Sequence, residues 1–141
     1  SKLASKNTRW KEMDSSQTLK AAEHFYFACE NGTGWTNCQP YCHPEATFSS
    51  QAKMLQEIDT LDHYTEWMGE VHKHMTDISF DVKGLAHDKS RDVVLIYGIY
   101  RGVITMSETP QPFETDYVYL LEFTEGKISH VSKVWAEPDD T

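Results

Sequence analysis

The stretch that most constrains the fold of this chain is residues 115–137, near the C-terminal end, which read TDYVYLLEFTEGKISHVSKVWAE. Two runs rich in Val, Ile, Tyr and Phe flank the turn sequence Thr124-Glu125-Gly126, a pattern that is typical of a β-hairpin. A glycine in the third position of a three-residue loop can adopt a positive φ and close the hairpin with a bulge. We therefore predict a β-hairpin here, with a three-residue loop.

The length of this loop sets the register of the two strands. A three-residue loop predicts three cross-strand pairs: Phe123 with Lys127, Tyr119 with Val131, and Tyr117 with Lys133. Alternation along the strands then gives one face made of Tyr117, Tyr119, Val131, Lys133 and Trp135. The opposite face carries Asp116, Val118, Leu120, His130 and Val134. A two-residue loop would shift the pairing by one position and bring together Asp116, Val118, Leu120, Lys133 and Trp135. We favour the first register.

Both faces of the predicted hairpin are largely apolar, so we expect both to be covered. Helices can cover one face, but the other needs a second cover. A homodimer supplies it, and we predict that the dimer contact is formed by Val118, Leu120, His130 and Val134.

Composition limits the classes of protein and partner. The chain has 141 residues, which suits one domain, with 39% hydrophobic and 25% charged residues, as in ordinary globular proteins. Thirteen basic and 22 acidic residues give a net charge of −9, which argues against nucleic acid or an anionic membrane as a partner. No apolar run approaches the roughly 20 residues that span a bilayer, and residues 1–16 lack the apolar core of a signal peptide. We therefore expect a cytoplasmic protein.

The three cysteines, Cys29, Cys38 and Cys42, are an odd set in a chain large enough to form a core, which does not suit a disulfide framework. We expect reduced, partly buried thiols. Cys38 and Cys42, four apart on a predicted helix and next to His43, could supply three zinc ligands. Because no CxxC motif and no evident fourth ligand accompany them, we predict that no metal is bound.

Helices are predicted in the first half of the chain. Ser15 or Ser16 can cap a first helix that ends at Asn31-Gly32. A short second helix runs from Trp35 to Cys42, and a third, capped by Asp59 or Thr60, runs from Leu61 to Met75.

Strands are predicted mainly in the second half. They comprise a brief strand at 46–48, an alternating strand at 78–82, a long strand from Val93 to Ile104 and the hairpin, with a loop at 87–92. Helices followed by antiparallel strands predict an α+β domain. We expect three helices to pack on one face of a strongly curved, mainly antiparallel sheet and to enclose a conical core, with a pocket between the helices and the sheet. This single domain spans residues 15–137, between a polar arm (1–14) and a frayed tail (138–141).

Two local motifs support a family resemblance over about residues 17–136. The sequence HPEATF at 43–48 precedes a capped helix, and F-x-x-G-K-I at 123–128 precedes a strand that ends in Trp135. Together with the order of elements, they resemble the SnoaL-like polyketide cyclases of the nuclear transport factor two-like superfamily, which includes ketosteroid isomerase and limonene epoxide hydrolase. The resemblance implies a cone-shaped α+β barrel, usually dimeric, with a pocket between the helices and the concave sheet.

The acid–base residues that the resemblance implies are not present as such. The cyclases often have Asp at the place of Tyr119, and His and Asp at the places of Val131 and Lys133. The general base of the isomerases corresponds to Ser50, and their catalytic tyrosine falls near Phe25 or Tyr26.

Lys133 and Tyr119 are the candidate catalytic residues. A lysine on a face of Tyr, Val and Trp should lose hydration, which lowers its pKa, and phenol neighbours can share its protons. We predict that Tyr119 is the acid or oxyanion donor and that Lys133 is its electrostatic partner or a base. Alternatively, Lys133 extends to the rim of the pocket, or the face is a subunit interface.

The predicted ligand is a small, largely apolar molecule with a carbonyl group. Its predicted contacts are Phe25, Tyr26, Tyr64, Trp67, Met68, Tyr117 and Trp135. If the protein is catalytic, the reaction is an isomerisation, cyclisation or dehydration by proton transfer, without a cofactor. A binding module without chemistry, and a dimerisation domain whose pocket is filled by its own side chains, remain as alternatives.

Overall fold

The computed structural model describes residues 14–137, so apart from Asp14 the predicted arm and tail lie outside the described residues. The helices are α1 (Ser15–Glu30), α2 (Trp35–Cys38) and α3 (Leu61–Lys73), with short 3-10 turns at Gln39–Tyr41 and Lys53–Leu55. The strands are β1 (Cys42–Ser50), β2 (Met75–Asp88), β3 (Val93–Ile104), β4 (Gln111–Thr124) and β5 (Lys127–Trp135). None of the helices within 14–137 is long and apolar enough to cross a membrane.

The five strands form one sheet in the order β1-β5-β4-β3-β2. β1 runs parallel to β5, and the other neighbours are antiparallel. The helices pack against one face of this curved sheet, which we call the concave face. The predicted α+β class, with a mainly antiparallel sheet, is confirmed.

The first helix begins one or two residues earlier than predicted. Its N-cap is Asp14, rather than Ser15 or Ser16, because the Asp14 carboxylate accepts the Gln17 N–H at 2.8 Å while the Gln17 side chain accepts the Asp14 N–H at 3.1 Å. The predicted end is confirmed: the helix stops at Glu30 and Gly32 has φ of 68°.

The next two helices end earlier than predicted. α2 stops at Cys38 and gives way to a 3-10 turn, since Pro40 has no N–H with which to continue an α-helix. α3 stops at Lys73, before Met75 pairs with Ile104 in the sheet. The predicted cap by Thr60 is confirmed, because its hydroxyl accepts the His63 N–H at 3.2 Å.

Two strands are longer than predicted. The strand predicted at 46–48 extends over Cys42–Ser50, because β1 pairs with β5 from Cys42 opposite Ile128 to Ser50 opposite Lys133. The loop predicted at 87–92 is shorter, because β2 continues to Asp88, which pairs with Val93. The long strand over Val93–Ile104 is confirmed.

The observed hairpin has the two-residue loop that was the alternative prediction. Its two faces nevertheless carry the side chains that were predicted for the three-residue loop. Thr124 pairs with Lys127 across a two-residue loop in which Glu125 (φ 50°) and Gly126 (φ 80°) both have positive φ. The predicted three-residue loop and its pairs are therefore wrong: Tyr119 lies opposite Lys133, and Tyr117 opposite Trp135.

A bulge explains why the faces are nevertheless as predicted. Phe123 pairs with Ile128 but Glu122 pairs with His130, so Ser129 is an extra residue on β5. The extra residue shifts the pairing by one further position. Beyond it, each side chain therefore returns to the face that was predicted for the three-residue loop. Side chains buried on the concave face of the hairpin therefore comprise Tyr117, Tyr119, Leu121, Val131, Lys133 and Trp135.

Gly98 on β3 leaves room for two phenol groups above the concave face. A Cβ atom at this position would lie 3.0 Å from the Asp81 carbonyl oxygen and 3.1 Å from the hydroxyls of both Tyr26 and Tyr117. These separations are shorter than ordinary van der Waals contacts, and one involves backbone, which moves least easily. The absence of a side chain at position 98 therefore permits the close packing of α1, β2 and β4.

We expect Gly98→Ala to lower the free energy of unfolding by about 1–3 kcal/mol, the usual cost of overpacking a core. Gly84→Ala is the matched control, because a Cβ at position 84 on β2 would meet no heavy atom within 4 Å among the described residues. Urea denaturation of both variants checks this, and an equal, small effect of the two substitutions would contradict it.

Candidate functional site

A cavity of about 400 Å³ lies between α3 and the concave face of the sheet. This volume is within the range of about 300–1,000 Å³ that is typical of small-molecule sites. Its walls are mainly apolar and include Trp67, Met68, Val71, Tyr100, Phe113, Tyr117 and Trp135. Met54, Glu70, His74 and Met106 also line it. The cavity can hold a small apolar molecule in contact with aromatic rings.

Lys133 is the buried cationic side chain in the cavity wall. β5 places it on the concave face, where only 5% of its surface is exposed. Its Nζ donates a hydrogen bond to the Tyr64 hydroxyl at 2.9 Å and lies 4.5 Å from the centre of the Trp135 ring system. The rings of Tyr64, Tyr117 and Tyr119 have their centres 5.4–5.5 Å from the same nitrogen. Lys133 therefore does not extend to the rim of the pocket, contrary to one of the alternatives above.

A chain of hydrogen bonds connects Lys133 to a buried carboxyl group. The Tyr64 hydroxyl, which accepts from Lys133, is hydrogen-bonded to the Tyr119 hydroxyl. Tyr119 in turn donates to Oε1 of Glu30 at 2.7 Å. Glu30 is the last residue of α1, and its side chain is almost completely buried. The four groups form one continuous path from the cavity wall to the end of α1.

The pKa shifts of Lys133 and Glu30, at the two ends of this hydrogen-bond chain, both favour the neutral form of the side chain. Burial lowers the pKa of Lys133, although the Glu30 charge opposes the shift. Burial raises the pKa of Glu30, against the Lys133 charge and the hydrogen bond from Tyr119. Burial also raises the pKa values of Tyr64 and Tyr119, so both phenols stay protonated and can pass a hydrogen bond along the chain.

Further polar groups belong to residues of the cavity wall. The Tyr117 hydroxyl is hydrogen-bonded to that of Tyr26. The buried Tyr100 hydroxyl and Trp135 Nε1 have no hydrogen-bond partner among residues 14–137. Buried polar groups normally find partners, so these two residues are candidates for contacts with a bound molecule.

The structure divides the nine predicted site residues into two layers. Those that line the cavity are Trp67, Met68, Tyr117, Lys133 and Trp135. Phe25, Tyr26, Tyr64 and Tyr119 are buried behind that lining. Tyr119 is thus connected to the cavity through Tyr64 and Lys133, and the functional roles of all nine residues stay predictions.

Glu30 belongs to the hydrogen-bond chain but was not among the predicted site residues. The available signal was its spacing: Ala22, Tyr26 and Glu30 recur every four residues and share the buried side of α1. A carboxylate at the end of an apolar stripe is ordinarily solvent-exposed, so this spacing alone did not indicate a buried group. The Glu30 carbonyl also accepts from His72 Nε2 at 2.6 Å, which ties α1 to α3.

The possible zinc ligands form hydrogen bonds to different parts of the backbone. The Cys42 thiol donates to the Cys38 carbonyl at 3.4 Å, whereas His43 Nε2 donates to the Thr124 carbonyl at 2.6 Å. Burial raises the pKa of Cys42 to about 12, which disfavours the thiolate that zinc requires. Residues 14–137 contain no group of three or more His, Cys, Asp or Glu side chains that could hold a metal ion.

The sequence model of the SnoaL-like domain matches residues 22–131, which is more than half of the chain. The chain belongs to the SnoaL-like family. The match of the family model confirms the resemblance predicted from the two local motifs. No curated protein matches the sequence at a significant level.

Several solved structures are similar to this SnoaL-like protein. AusH from Aspergillus nidulans has 14% identity and a TM-score of 0.71 over 92% of this chain and 90% of that one. PrhC from Penicillium brasilianum has 9% identity and a TM-score of 0.68 over 86% and 81% of the two chains. A SnoaL-like protein from Shewanella denitrificans has 11% identity and a TM-score of 0.67 over 84% and 90%. At these identities the similarity shows the fold alone.

This SnoaL-like protein lacks the acid–base residues that the resemblance implies at positions 50, 119, 131 and 133. Ser50, where the resemblance implies the isomerase base, pairs with Lys133 across β1 and β5, and its hydroxyl accepts the Ala52 N–H at 3.3 Å. The polar centre of the site is the hydrogen-bond chain that ends in Lys133 and Glu30.

Proposed function

We propose that this SnoaL-like protein binds a small, largely apolar molecule with a carbonyl group and acts on it by proton transfer, as an isomerase, cyclase or dehydratase without a cofactor. The observation that carries the proposal is a buried lysine in the wall of an apolar cavity, hydrogen-bonded to a buried phenol. A carbonyl oxygen complements this donor, while the rest of the ligand complements the apolar walls.

Lys133 would bind the carbonyl oxygen directly. Because Lys133 is almost completely buried, a hydrogen bond from its Nζ would be stronger than one at the surface. When a proton leaves the carbon next to the carbonyl, negative charge develops on the oxygen, and an ammonium donor stabilises that charge most. Trp67 and Trp135 would form the walls against which the ligand packs.

Tyr64 and Tyr119 would support Lys133 from behind the cavity lining. Each phenol accepts a hydrogen bond from one side and donates on the other, so the Glu30 carboxylate polarises the whole chain towards Lys133. Phe25 and Tyr26 would hold this second layer in place through core packing.

A second candidate function is ligand binding without chemistry. It is favoured by the missing acid–base residues at Ser50, Tyr119 and Val131. Both functions require the cavity to bind a carbonyl compound, and only turnover of a bound compound separates them.

We further propose that the protein is a cytoplasmic homodimer. On the convex face of the sheet, 58% of Val134, 41% of Tyr97 and 40% of Leu95 are exposed. Val118 pairs with Val134 and with Tyr97, so this apolar surface crosses three strands. A second copy of the chain is the cover that the sequence predicts for it.

Substitution of Lys133 tests the binding role. We expect Lys133→Met to keep the fold and to weaken binding of a ketone by about 1.5–3 kcal/mol, the usual contribution of a hydrogen bond to a charged group. Tyr119→Phe should weaken it less, by about 0.5–1.5 kcal/mol, because Tyr119 acts on the ligand only through Tyr64 and Lys133. Thermal-shift and calorimetric titrations with aromatic and alicyclic ketones measure both effects. If a ketone binds wild type and both variants equally well, Lys133 and Tyr119 are not the site.

A further inference from the structure

Lys133 presents a primary amine that has no ion-pair contact with a carboxylate among the described residues and is linked to Glu30 only through Tyr64 and Tyr119. None of the ion pairs between residues 14–137 includes it. The Tyr64 hydroxyl is its hydrogen-bond partner, and aromatic rings surround its Nζ. An ammonium group held only by a phenol and ring faces can lose its proton more readily than one paired with a carboxylate.

The hydrogen-bond chain offers a place for that proton. A proton can pass from Lys133 Nζ to the Tyr64 oxygen while the Tyr64 proton moves to Tyr119 and the Tyr119 proton moves to Glu30 Oε1. Both phenols are restored, Glu30 becomes a neutral acid and Lys133 becomes a neutral amine. Because no net charge enters or leaves the buried cluster, this transfer avoids the cost of leaving one charge uncompensated.

We propose that Lys133 is a nucleophile that forms a Schiff base with the carbonyl carbon of a ketone or aldehyde in the cavity. This proposal rests on the proposed function above, because the same carbonyl ligand must first bind. It differs in making Lys133 a covalent partner rather than only a hydrogen-bond donor. Amines of this kind, desolvated in apolar pockets, act as nucleophiles towards carbonyl compounds.

The bond changes balance without a further reagent. The amine nitrogen attacks the carbonyl carbon, the carbonyl π electrons move to oxygen, and proton transfer from nitrogen to oxygen gives a carbinolamine. Loss of the hydroxyl as water, with one more proton from the nitrogen, gives the imine. The proton stored on Glu30 can return through Tyr119 and Tyr64 to the imine nitrogen, which leaves an iminium ion and the Glu30 carboxylate.

Sodium cyanoborohydride tests the proposal by reducing the iminium to a stable secondary amine. Wild type is incubated at pH 7 with β-tetralone or cyclohexanone and the reductant, then analysed by intact mass and peptide mapping. We expect one adduct, with the mass of the ketone less one oxygen atom, on Lys133. The exposed Lys127 of β5 is the internal reference. Labelling of Lys133 should exceed it at least ~10-fold, because the amine of Lys133 is desolvated in an apolar pocket.

Two variants locate the reaction. Lys133→Met should lose the adduct, whereas Lys127→Met should keep it. Calorimetry with the same ketones, without reductant, separates the two proposals. If a ketone binds but leaves no adduct on Lys133, the Schiff base is overturned and the proposed function stands. If none of the aromatic and alicyclic ketones binds, the proposed function fails and the Schiff base fails with it.

Discussion

Glu30→Gln is expected to lower the free energy of unfolding at pH 7 by about 3–5 kcal/mol, the range typical of leaving a buried charge without the opposite charge that compensates it. The amide keeps the shape of the side chain and can still accept the hydrogen bond from Tyr119. It carries no negative charge, however, so the buried Lys133 loses the group that opposes the effect of its burial. Urea denaturation of both proteins measures the difference.

The pH dependence of this loss has a definite sign. Burial lowers the folded-state pKa of Lys133 below its ordinary value of 10.5, so its contribution to stability is present above 10.5 and is lost as the pH falls through the folded-state pKa. Without the Glu30 carboxylate, the folded-state pKa of Lys133 falls further below 10.5. The folded state then loses stability over a wider range of pH. The destabilisation by Glu30→Gln should therefore shrink as the pH is raised from 7 towards 10.

The double variant Glu30→Gln/Lys133→Met provides the control. Because it removes both charges, it should cost less than the sum of the two single substitutions, with a coupling energy of at least about 1 kcal/mol. Additive effects, or a Glu30→Gln deficit that grows between pH 7 and pH 10, would show that Glu30 and Lys133 do not act as a buried pair.

Val134→Asp is expected to convert the proposed homodimer into monomers. Light scattering at micromolar concentration should give twice the 16.2 kDa mass of one chain for wild type and the mass of one chain for the variant. The substitution buries a carboxylate in each half of a symmetric apolar contact. We therefore expect association to weaken by at least about 3 kcal/mol, or more than ~100-fold.

Met106→Asp is the matched control for this prediction, because Met106 is 71% exposed but lines the cavity on the concave side. It should leave the mass unchanged. A single-chain mass for wild type would contradict the homodimer. A dimer that survives Val134→Asp would place the contact elsewhere.

The hairpin shows how far local sequence determines the structure. Period-two alternation predicted which side chains lie on the concave face, and this prediction is confirmed. The cross-strand pairs did not follow, because a two-residue loop and a bulge at Ser129 have opposite effects on alternation. Turn sequence alone does not reveal a bulge three residues further along the strand.

The candidate site shows a second limit. Lys133 could be found from the sequence because it interrupts an apolar face of a single strand. Glu30 could not be found in this way, because its partner Tyr119 lies 89 residues away in the sequence. The burial of Glu30 depends on how α1 packs against β4. The depth of Tyr119 behind the cavity wall depends in the same way on Tyr64 of α3. Such contacts between elements are set by tertiary packing rather than by local pattern.

The proposed function requires that Lys133 recognises a carbonyl oxygen in an apolar cavity. Calorimetric titration of wild type and Lys133→Met with β-tetralone and with tetralin, its counterpart without oxygen, tests this directly. Wild type should prefer the ketone by about 1.5–3 kcal/mol, and the variant should bind the two compounds about equally. The same preference for the ketone in both proteins, or no preference in wild type, would contradict the claim.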